Sequence, residues 1–353
     1  MSTDQQDIHA EIERFYEQIR PFHLGPLWTA WGLLPYEPRK QAVPHVWRYE
    51  EVREQLMRAG ELVSEEQAKR RVLMLLNPGL GGEAATTTNL YAGLQLVLPQ
   101  EIAPAHHHAA AAIRFILEGS GGYTTVNGER AIMHPGDLVL TPNWAWHDHG
   151  NDTDEPVIWL DGLDLPLVNA VDANFFHAGE NRQQEPVKPD DASERLYATS
   201  RLMPAWIKWT KSYSPIINYP WSETERVLRE VAPDTEGSPY DGLVFEYSNP
   251  ETGGSCMPTM GCFVQQLAPG QHTEAHRHTT SAVYSVVRGE GYSIIDGTRI
   301  EWGPRDTFAL PGWATHEHVN GSDTEPAILF SYTDDPVLHA LDLYREEPQP
   351  QQQ

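Results

Sequence analysis

The strongest constraint on the fold is an internal repeat. HHHAAAAIRFILEGSGGYTTVNGERAIMHPGDLVLTPNWAWHDHGN (106–151) lies over HRHTTSAVYSVVRGEGYSIIDGTRIEWGPRDTFALPGWATHEHVN (276–320), with a one-residue difference in the first turn. His106 falls on His276, His108 on His278, Gly119 on Gly289, Pro142 on Pro311, His147 on His316 and His149 on His318. A module written twice is folded twice. Within it, and from about Arg70 onward, short β-rich runs such as RVLMLLNP, LYAGLQLVLP, AIRFILEG, DLVLTP and EPVIWLDG are separated by Gly, Pro or Asn, a spacing that predicts barrels or sandwiches. The length of 353 residues is sufficient for two such domains.

Outside the repeat the texture changes. Residues 8–20, 49–60 and 222–232 carry apolar positions at helical spacing and are read as helices. The Trp- and Pro-rich segment 27–47 reads as irregular chain over a surface, and EEPQPQQQ at the end as a disordered tail with nothing to bury. Fifty acidic against 25 basic residues leave a net charge of −25, which disfavours nucleic acid and anionic membranes as partners. Two cysteines, Cys256 and Cys262, are too few for a disulfide framework and read as inert thiols. No apolar run approaches the ~20 residues of a membrane span, and the opening MSTDQQDIHAEIERF has no basic run ahead of an apolar core, so a cytoplasmic location is expected.

The chemistry is carried by side chains that share a face. On a strand, residues of equal parity point the same way, so His106, His108 and Arg114 face one space and His107 the other. Two imidazoles at i and i+2 stand roughly 7 Å apart along the strand, and a modest convergence lets both ligate one metal. His147, on a later strand of the same module, completes a set of three neutral ligands. Three ligands on one side of a metal leave open positions, the arrangement of a catalytic site. Arg114 on a barrel interior requires an anion. That anion is either a strand acid such as Asp161 or Asp164, or a bound acidic substrate. The second module keeps His276, His278 and His316 but has Tyr284 in place of Arg114, which favours a substrate role confined to the first module. His149 is expected on the side of His147, as an orienting or proton-transferring group.

The segments G-D-L-V-L-T-P-x-W-x-W-H-x-H-G-N and H-x-H-x5-R-F-x3-G resemble the bicupin ring-cleaving dioxygenases, the gentisate 1,2-dioxygenase and salicylate 1,2-dioxygenase group, over most of residues 28–335. The resemblance implies an all-β bicupin: two jelly-roll (double-stranded β-helix) barrels with a helical N-terminal extension and a helical inter-domain segment. The expected division is 1–69 extension, 70–178 catalytic cupin, 179–240 linker with a helix, 241–345 second cupin and 346–353 tail. It further implies Fe(II) on His106, His108 and His147, Arg114 and His149 as pocket residues, and Arg70, Tyr91, Gly93 and Asp161 as further lining positions. The implied reaction inserts both atoms of O2 between the carboxyl- and hydroxyl-bearing ring carbons of a small aromatic hydroxy acid, giving maleylpyruvate from gentisate. Salicylate, substituted salicylates and 1-hydroxy-2-naphthoate are the alternative substrates, and a bicupin that binds or isomerises a small acid without O2 is the competing class. A homotetramer is implied as well. Gly93 is expected to leave room in the pocket for salicylates. In the second module His276, His278 and His316 are expected to hold at most a non-catalytic metal. Arg305, where the family's turn has glycine, is expected to disturb that second site.

Overall fold

The computed structural model describes residues 3–198 and 202–349. The chain divides into two units, 1–39 and 40–353. The first consists of the helix Thr3–Ile19 followed by two short helical turns, and its Trp28 indole donates to the Tyr16 hydroxyl at 2.9 Å. The second contains everything from Lys40 onward, including the helix Tyr49–Leu62 that the sequence placed in the extension.

Each repeat folds into two facing antiparallel sheets. In the first module the strands order as 218–219, 138–141, 112–118, 157–163, 91–97 and 71–74 in one sheet, and as 176–178, 102–108, 147–150, 122–126 and 129–133 in the other. The second module repeats both sheets. The tight hairpins explain why the sequence closes where it does. Asn127 and Gly128, both at positive φ, form the two-residue turn between strands Gly122–Val126 and Glu129–Met133, and Asp296 and Gly297 do the same between Gly291–Ile295 and Thr298–Trp302. Paired left-handed residues match the twist of the flanking strands, and Asn-Gly and Asp-Gly reach that conformation at least cost.

The repeat extends further than sequence similarity does. The edge strand Phe176–Ala178 pairs with the His106–His108 segment, setting Phe176 against His108. In the second module Glu346–Pro348 pairs with His276–His278, setting Glu346 against His278. Residues 346–348, expected to be disordered, are thus the counterpart of 176–178: an edge offering unpaired backbone groups binds the chain that returns past it. Residues 350–353 of that expected tail lie outside the described residues. The segment read as irregular also gains a strand, His45–Trp47, which pairs with Thr307–Leu310 on the edge of the second module's sheet.

Alternation along the strands divides two cores. Ala92, Leu94, Leu96, Ile113, Phe115, Ile158 and Leu160 face out of the first barrel and pack with Cys262, Val264, Val283, Ile328, Phe330 and Tyr332 of the second. The rings of Phe115 and Phe330 stack at 4.1 Å. Ile116, Val139, Val157 and Trp159 point the other way, into the first barrel. Burying whole Leu, Ile and Phe side chains is worth roughly 1.5–3 kcal/mol each, so the barrels are joined back to back by a continuous apolar layer. Cys256 and Cys262 are free thiols buried in it.

Arg305 does not have the effect expected of it. It adopts φ +67°, the left-handed conformation that Gly136 holds at +89° in the first module. Its guanidinium lies over the Tyr49 ring, 5.4 Å from the centroid. The neighbouring Asp306 accepts from the Tyr49 amide at 2.8 Å and pairs with Arg48 at 2.7 Å. A non-glycine residue pays about 1–2 kcal/mol for that conformation. The turn keeps its shape, and the histidines of the second module converge like those of the first.

Candidate metal centre and substrate pocket

In the first module the strands Ile102–His108 and His147–Gly150 lie side by side with His106 opposite His147. The ligating nitrogens of His106, His108 and His147 all lie within 4.8 Å of one another. Each ring is oriented through Nδ1 by a nearby carbonyl: His106 by Pro104 at 2.8 Å, His108 by Ala110 at 2.7 Å and His147 by Ala145 at 2.9 Å. That bonding fixes the tautomer that turns Nε2 inward. Desolvation lowers the pKa of His106 to about 3 and of His108 to about 4, and holds His147 well below its ordinary value. All three are therefore neutral, the form that ligates a metal. His147 Nε2 is buried with no hydrogen-bond partner, a donor atom placed to bind a cation. The residues present fit a divalent metal.

Two guanidiniums and one carboxylate, Arg70, Arg114 and Asp161, stand beside these histidines. Gly93, Asp161 and Arg114 stand directly opposite one another on three adjacent strands, so they share the inner face. Arg114 is fully enclosed. Its Nε lies 3.4 Å from Asp161 Oδ1, and its Nη1 donates to the Thr141 hydroxyl. Desolvation brings it to about 10, opposed by Asp161, so it stays charged at neutral pH. Asp161 also accepts from the Trp159 indole at 2.9 Å. Of the two anions set against each other from sequence, the structure shows the strand acid, Asp161, beside Arg114. Asp161 holds the base of the guanidinium, and the guanidinium has five N–H groups, more than its two neighbours engage.

Arg70 enters from the start of strand Arg71–Met74, with Nη1 2.6 Å from His106 Nε2. Phe176, which sequence reasoning missed, stacks on His106 at 5.5 Å and lies under the Arg70 guanidinium at 5.1 Å. It stands outside the stretch where the two modules align by sequence, and only the edge-strand pairing locates it.

His149 stands beside His147 as expected, with ring centroids 5.6 Å apart, and its Nδ1 bonds to Thr124 Oγ1 at 2.9 Å. Desolvation first, then the charge of Arg114, hold it neutral. His107 points outward, its ring 4.2 Å from Trp146 and 4.9 Å from His177. Gly93 makes room for a neighbour. A Cβ there would stand 2.7 Å from both the Tyr91 hydroxyl and Val72 Cγ1, because Tyr91 leans along its strand over the glycine.

In the second module His276, His278 and His316 form the same kind of cluster, also within 4.8 Å. Tyr284 stacks on Phe308 at 4.8 Å and lies 5.1 Å from His318, an aromatic packing where the first module has a guanidinium.

A cupin-domain family model matches residues 93–163 and 263–332, the two repeats. The chain is 40% identical over 345 residues to gentisate 1,2 dioxygenase 1 of Aquipseudomonas alcaligenes, covering 98% of each chain. It is 41% identical over 345 residues to a 5-aminosalicylate 1,2-dioxygenase of a Comamonas species, covering 96% of this chain and 91% of the relative. Salicylate 1,2-dioxygenase from Pseudoaminobacter salicylatoxidans, solved as adducts with gentisate, superposes with a TM-score of 0.89 at 35% identity, over 97% of this chain and 94% of that one. The all-β bicupin architecture expected from the repeat is the one observed, and with these likenesses running over almost its whole length the chain belongs to the gentisate/salicylate 1,2-dioxygenase family of ring-cleaving dioxygenases.

Proposed function

We propose that this chain cleaves the ring of an aromatic ortho-hydroxy acid with O2, that gentisate is its principal substrate, and that the metal on His106, His108 and His147 is Fe(II). The observation that carries the reading is the placement of Arg114. A fully buried guanidinium is held from behind by Asp161 and Thr141, and its charge acts on all four histidines of the site.

A carboxylate entering this pocket meets the Arg114 fork, with Arg70 as a second cation at its mouth. Asp161 keeps Arg114 oriented, so the aromatic acid is bound with its carboxyl end fixed and its ring directed at the histidine face. Fe(II) bound there supplies a Lewis acid for the carboxylate and ring oxygen and a route for electrons from the ring to dioxygen. His149, neutral and anchored on Thr124, is positioned to take or return the proton of the ring hydroxyl. The enclosing strands exclude bulk water from the reacting face. Both oxygen atoms enter the product between the carboxyl- and hydroxyl-bearing carbons, giving maleylpyruvate from gentisate.

Salicylates substituted at the ring, 5-aminosalicylate among them, are the second substrate class, supported by the relative that bears that name. A cytoplasmic location and a homotetrameric assembly belong to the same reading through the family likeness.

The test is oxygen uptake by protein reconstituted with Fe(II) without air, given gentisate and then salicylate, with Arg114→Ala as control. Uptake equimolar with gentisate and lost in the control is the expected result. No uptake with either acid rejects the proposal.

A further inference from the structure

We propose that the second module holds its own divalent cation on His276, His278 and His316, with Asp241 as a fourth, oxygen-donating ligand, and that the C-terminal strand locks this site through Glu346. The inference stands apart from the substrate reading of the first module.

Three imidazoles converge at the mouth of the second barrel. His276 and His316 are 2% and 1% exposed, and the Nε2 of each is buried with no hydrogen-bond partner. A buried polar atom left unpaired costs about 1–3 kcal/mol, so a cluster of them aimed at one point calls for a ligand. The Nδ1 atoms are already engaged: His276 on Glu346 Oε1 at 2.9 Å, His278 on the Thr280 carbonyl at 3.0 Å and His316 on the Ala314 carbonyl at 3.0 Å. Nε2 is therefore the ligating atom of each ring.

The fourth group distinguishes this site from the first. Asp241 Oδ1 lies 3.9 Å from His276 Nε2. Two bonds of about 2.1 Å to one ion span up to about 4.2 Å, so one ion can bridge them. Asp241 sits in the segment that enters the first strand of its sheet, where the first module brings Arg70 to His106. At the edge strand the exchange is of the same kind, Glu346 standing where the first module has Phe176. A guanidinium and a phenyl ring have been replaced by two carboxylates. Three imidazoles with an oxygen donor suit a divalent first-row ion. A carboxylate accepting from Nδ1–H strengthens the ligand it orients.

The same exchanges remove the means of holding an aromatic acid. Tyr284 replaces Arg114, and Ser331, opposite it, replaces Asp161. The pocket in front, about 430 Å³, is lined by Asp241, Glu246, Asp335 and Glu346 and repels a carboxylate. The site binds a cation and no arenoate.

The test strips the full-length protein with a chelator, titrates it with Mn²⁺, and counts bound ions by elemental analysis and electron paramagnetic resonance. The expected result is two ions per chain, falling to one in either His147→Ala or His316→Ala. Asp241→Asn, a conservative change at a residue whose side chain is 28% exposed, should weaken the second site by at least about tenfold and leave the first intact. Glu346→Gln should weaken it in the same direction. A single ion in the unaltered protein, or two ions kept by folded His316→Ala, overturns the site. Unchanged affinity in Asp241→Asn overturns the fourth ligand, and in Glu346→Gln the lock.

Discussion

Two barrels of one chain carry the same three histidines on the same strands, and the groups around them have opposite sign. Around His106 stand Arg70, Arg114 and Phe176; around His276 stand Asp241, Tyr284 and Glu346. The scaffold of turns, ladders and converging imidazoles was kept, and the chemistry was altered at positions that neither turn nor core requires. On the two proposals above, the cationic surroundings admit an anionic substrate beside a metal, and the anionic ones hold a metal and exclude that substrate. The division of labour therefore lies in a few side chains around each cluster.

The sharpest way to break this comparison is to remove one ligand from each barrel. His147→Ala is expected to lower gentisate-dependent oxygen uptake by more than about 10³-fold, because several kcal/mol of charge stabilisation by the metal are lost. His316→Ala is expected to stay close to the unaltered protein. Circular dichroism checks that both variants fold. Equal loss in both would make the second barrel part of the catalytic machinery.

The next test converts one pocket toward the other. Arg114→Tyr alone leaves Asp161 enclosed without its cation, a change that costs about 3–5 kcal/mol for a buried pair. Arg114→Tyr with Asp161→Ser copies the second module's pairing of Tyr284 and Ser331 and removes both charges together. The double variant is expected to be more stable than the single one, to bind metal, and to lose roughly 10²–10³-fold in kcat/KM for gentisate. Melting temperature, metal content and steady-state rates separate these effects. A double variant that turns over gentisate normally would remove Arg114 from the substrate's path.

A third contrast concerns Asp164 and Asp334, which stand at corresponding helix starts. Asp334 accepts from the Ser281 amide at 2.7 Å and from Asn89 at 2.6 Å. Asp164 accepts from the Ala111 amide at 2.8 Å, while its Oδ2 is buried without a partner. Burial raises Asp164 to about 6, opposed by Thr259 and Ala111. Because the folded-state value lies above the unfolded one, the native protein takes up this proton first as the pH falls. The cost of the charge is present in full above pH 6 and is withdrawn between about pH 6 and 4. At pH 7 it amounts to about 3 kcal/mol, at 1.36 kcal/mol per unit. Urea unfolding from pH 7 to 4 should show the unaltered protein gaining about that much relative to Asp164→Asn. Parallel pH curves would mean that folding does not raise the Asp164 carboxyl above its unfolded value.

The sequence revealed most where one residue type at one spacing has a single physical use. The internal repeat, His-x-His with a later His, and short β-rich runs separated by Gly, Pro or Asn located both barrels and both histidine clusters. It also singled out Arg114, because a guanidinium facing a barrel interior needs an anion, and left open whether that anion is a strand acid or a substrate. It was silent where a function depends on distant chain being brought alongside. Phe176 and Glu346 acquire their roles only through backbone pairing with the histidine strands. In 346–348, Glu-Glu-Pro has the composition of a tail, and it is ordered because the barrel's open edge accepts it. Arg305 misled for a related reason. An arginine where the family's turn has glycine pointed to a disturbed site, whereas the adjacent Tyr49 ring and the Asp306 bonds hold the left-handed turn in place.

The smallest expected effect tests where the two pockets differ in shape. Gly93 stands opposite Asp161 on the floor of the first pocket, and its counterpart in the second module, opposite Ser331, is Phe263. The sequence reading assigned the space above Gly93 to substrate, whereas the Tyr91 hydroxyl and Val72 occupy it. A methyl group at Gly93 must therefore act through Tyr91. Val72 and the Leu73 carbonyl close one side, the latter 3.2 Å from the added carbon, so the phenol is the part that swings. If the proposed substrate lies beside Tyr91, a displaced phenol is felt differently by a gentisate 5-hydroxyl and by the bare edge of salicylate. A difference of about 1 kcal/mol between the two substrates' transition states is roughly fivefold in kcat/KM. Gly93→Ala should thus shift the ratio of gentisate to salicylate kcat/KM by about that factor, and Gly93→Ala with Tyr91→Phe should recover part of it. An unchanged ratio in the single variant would place Tyr91 outside the specificity of the pocket and leave discrimination to Arg70 and Arg114.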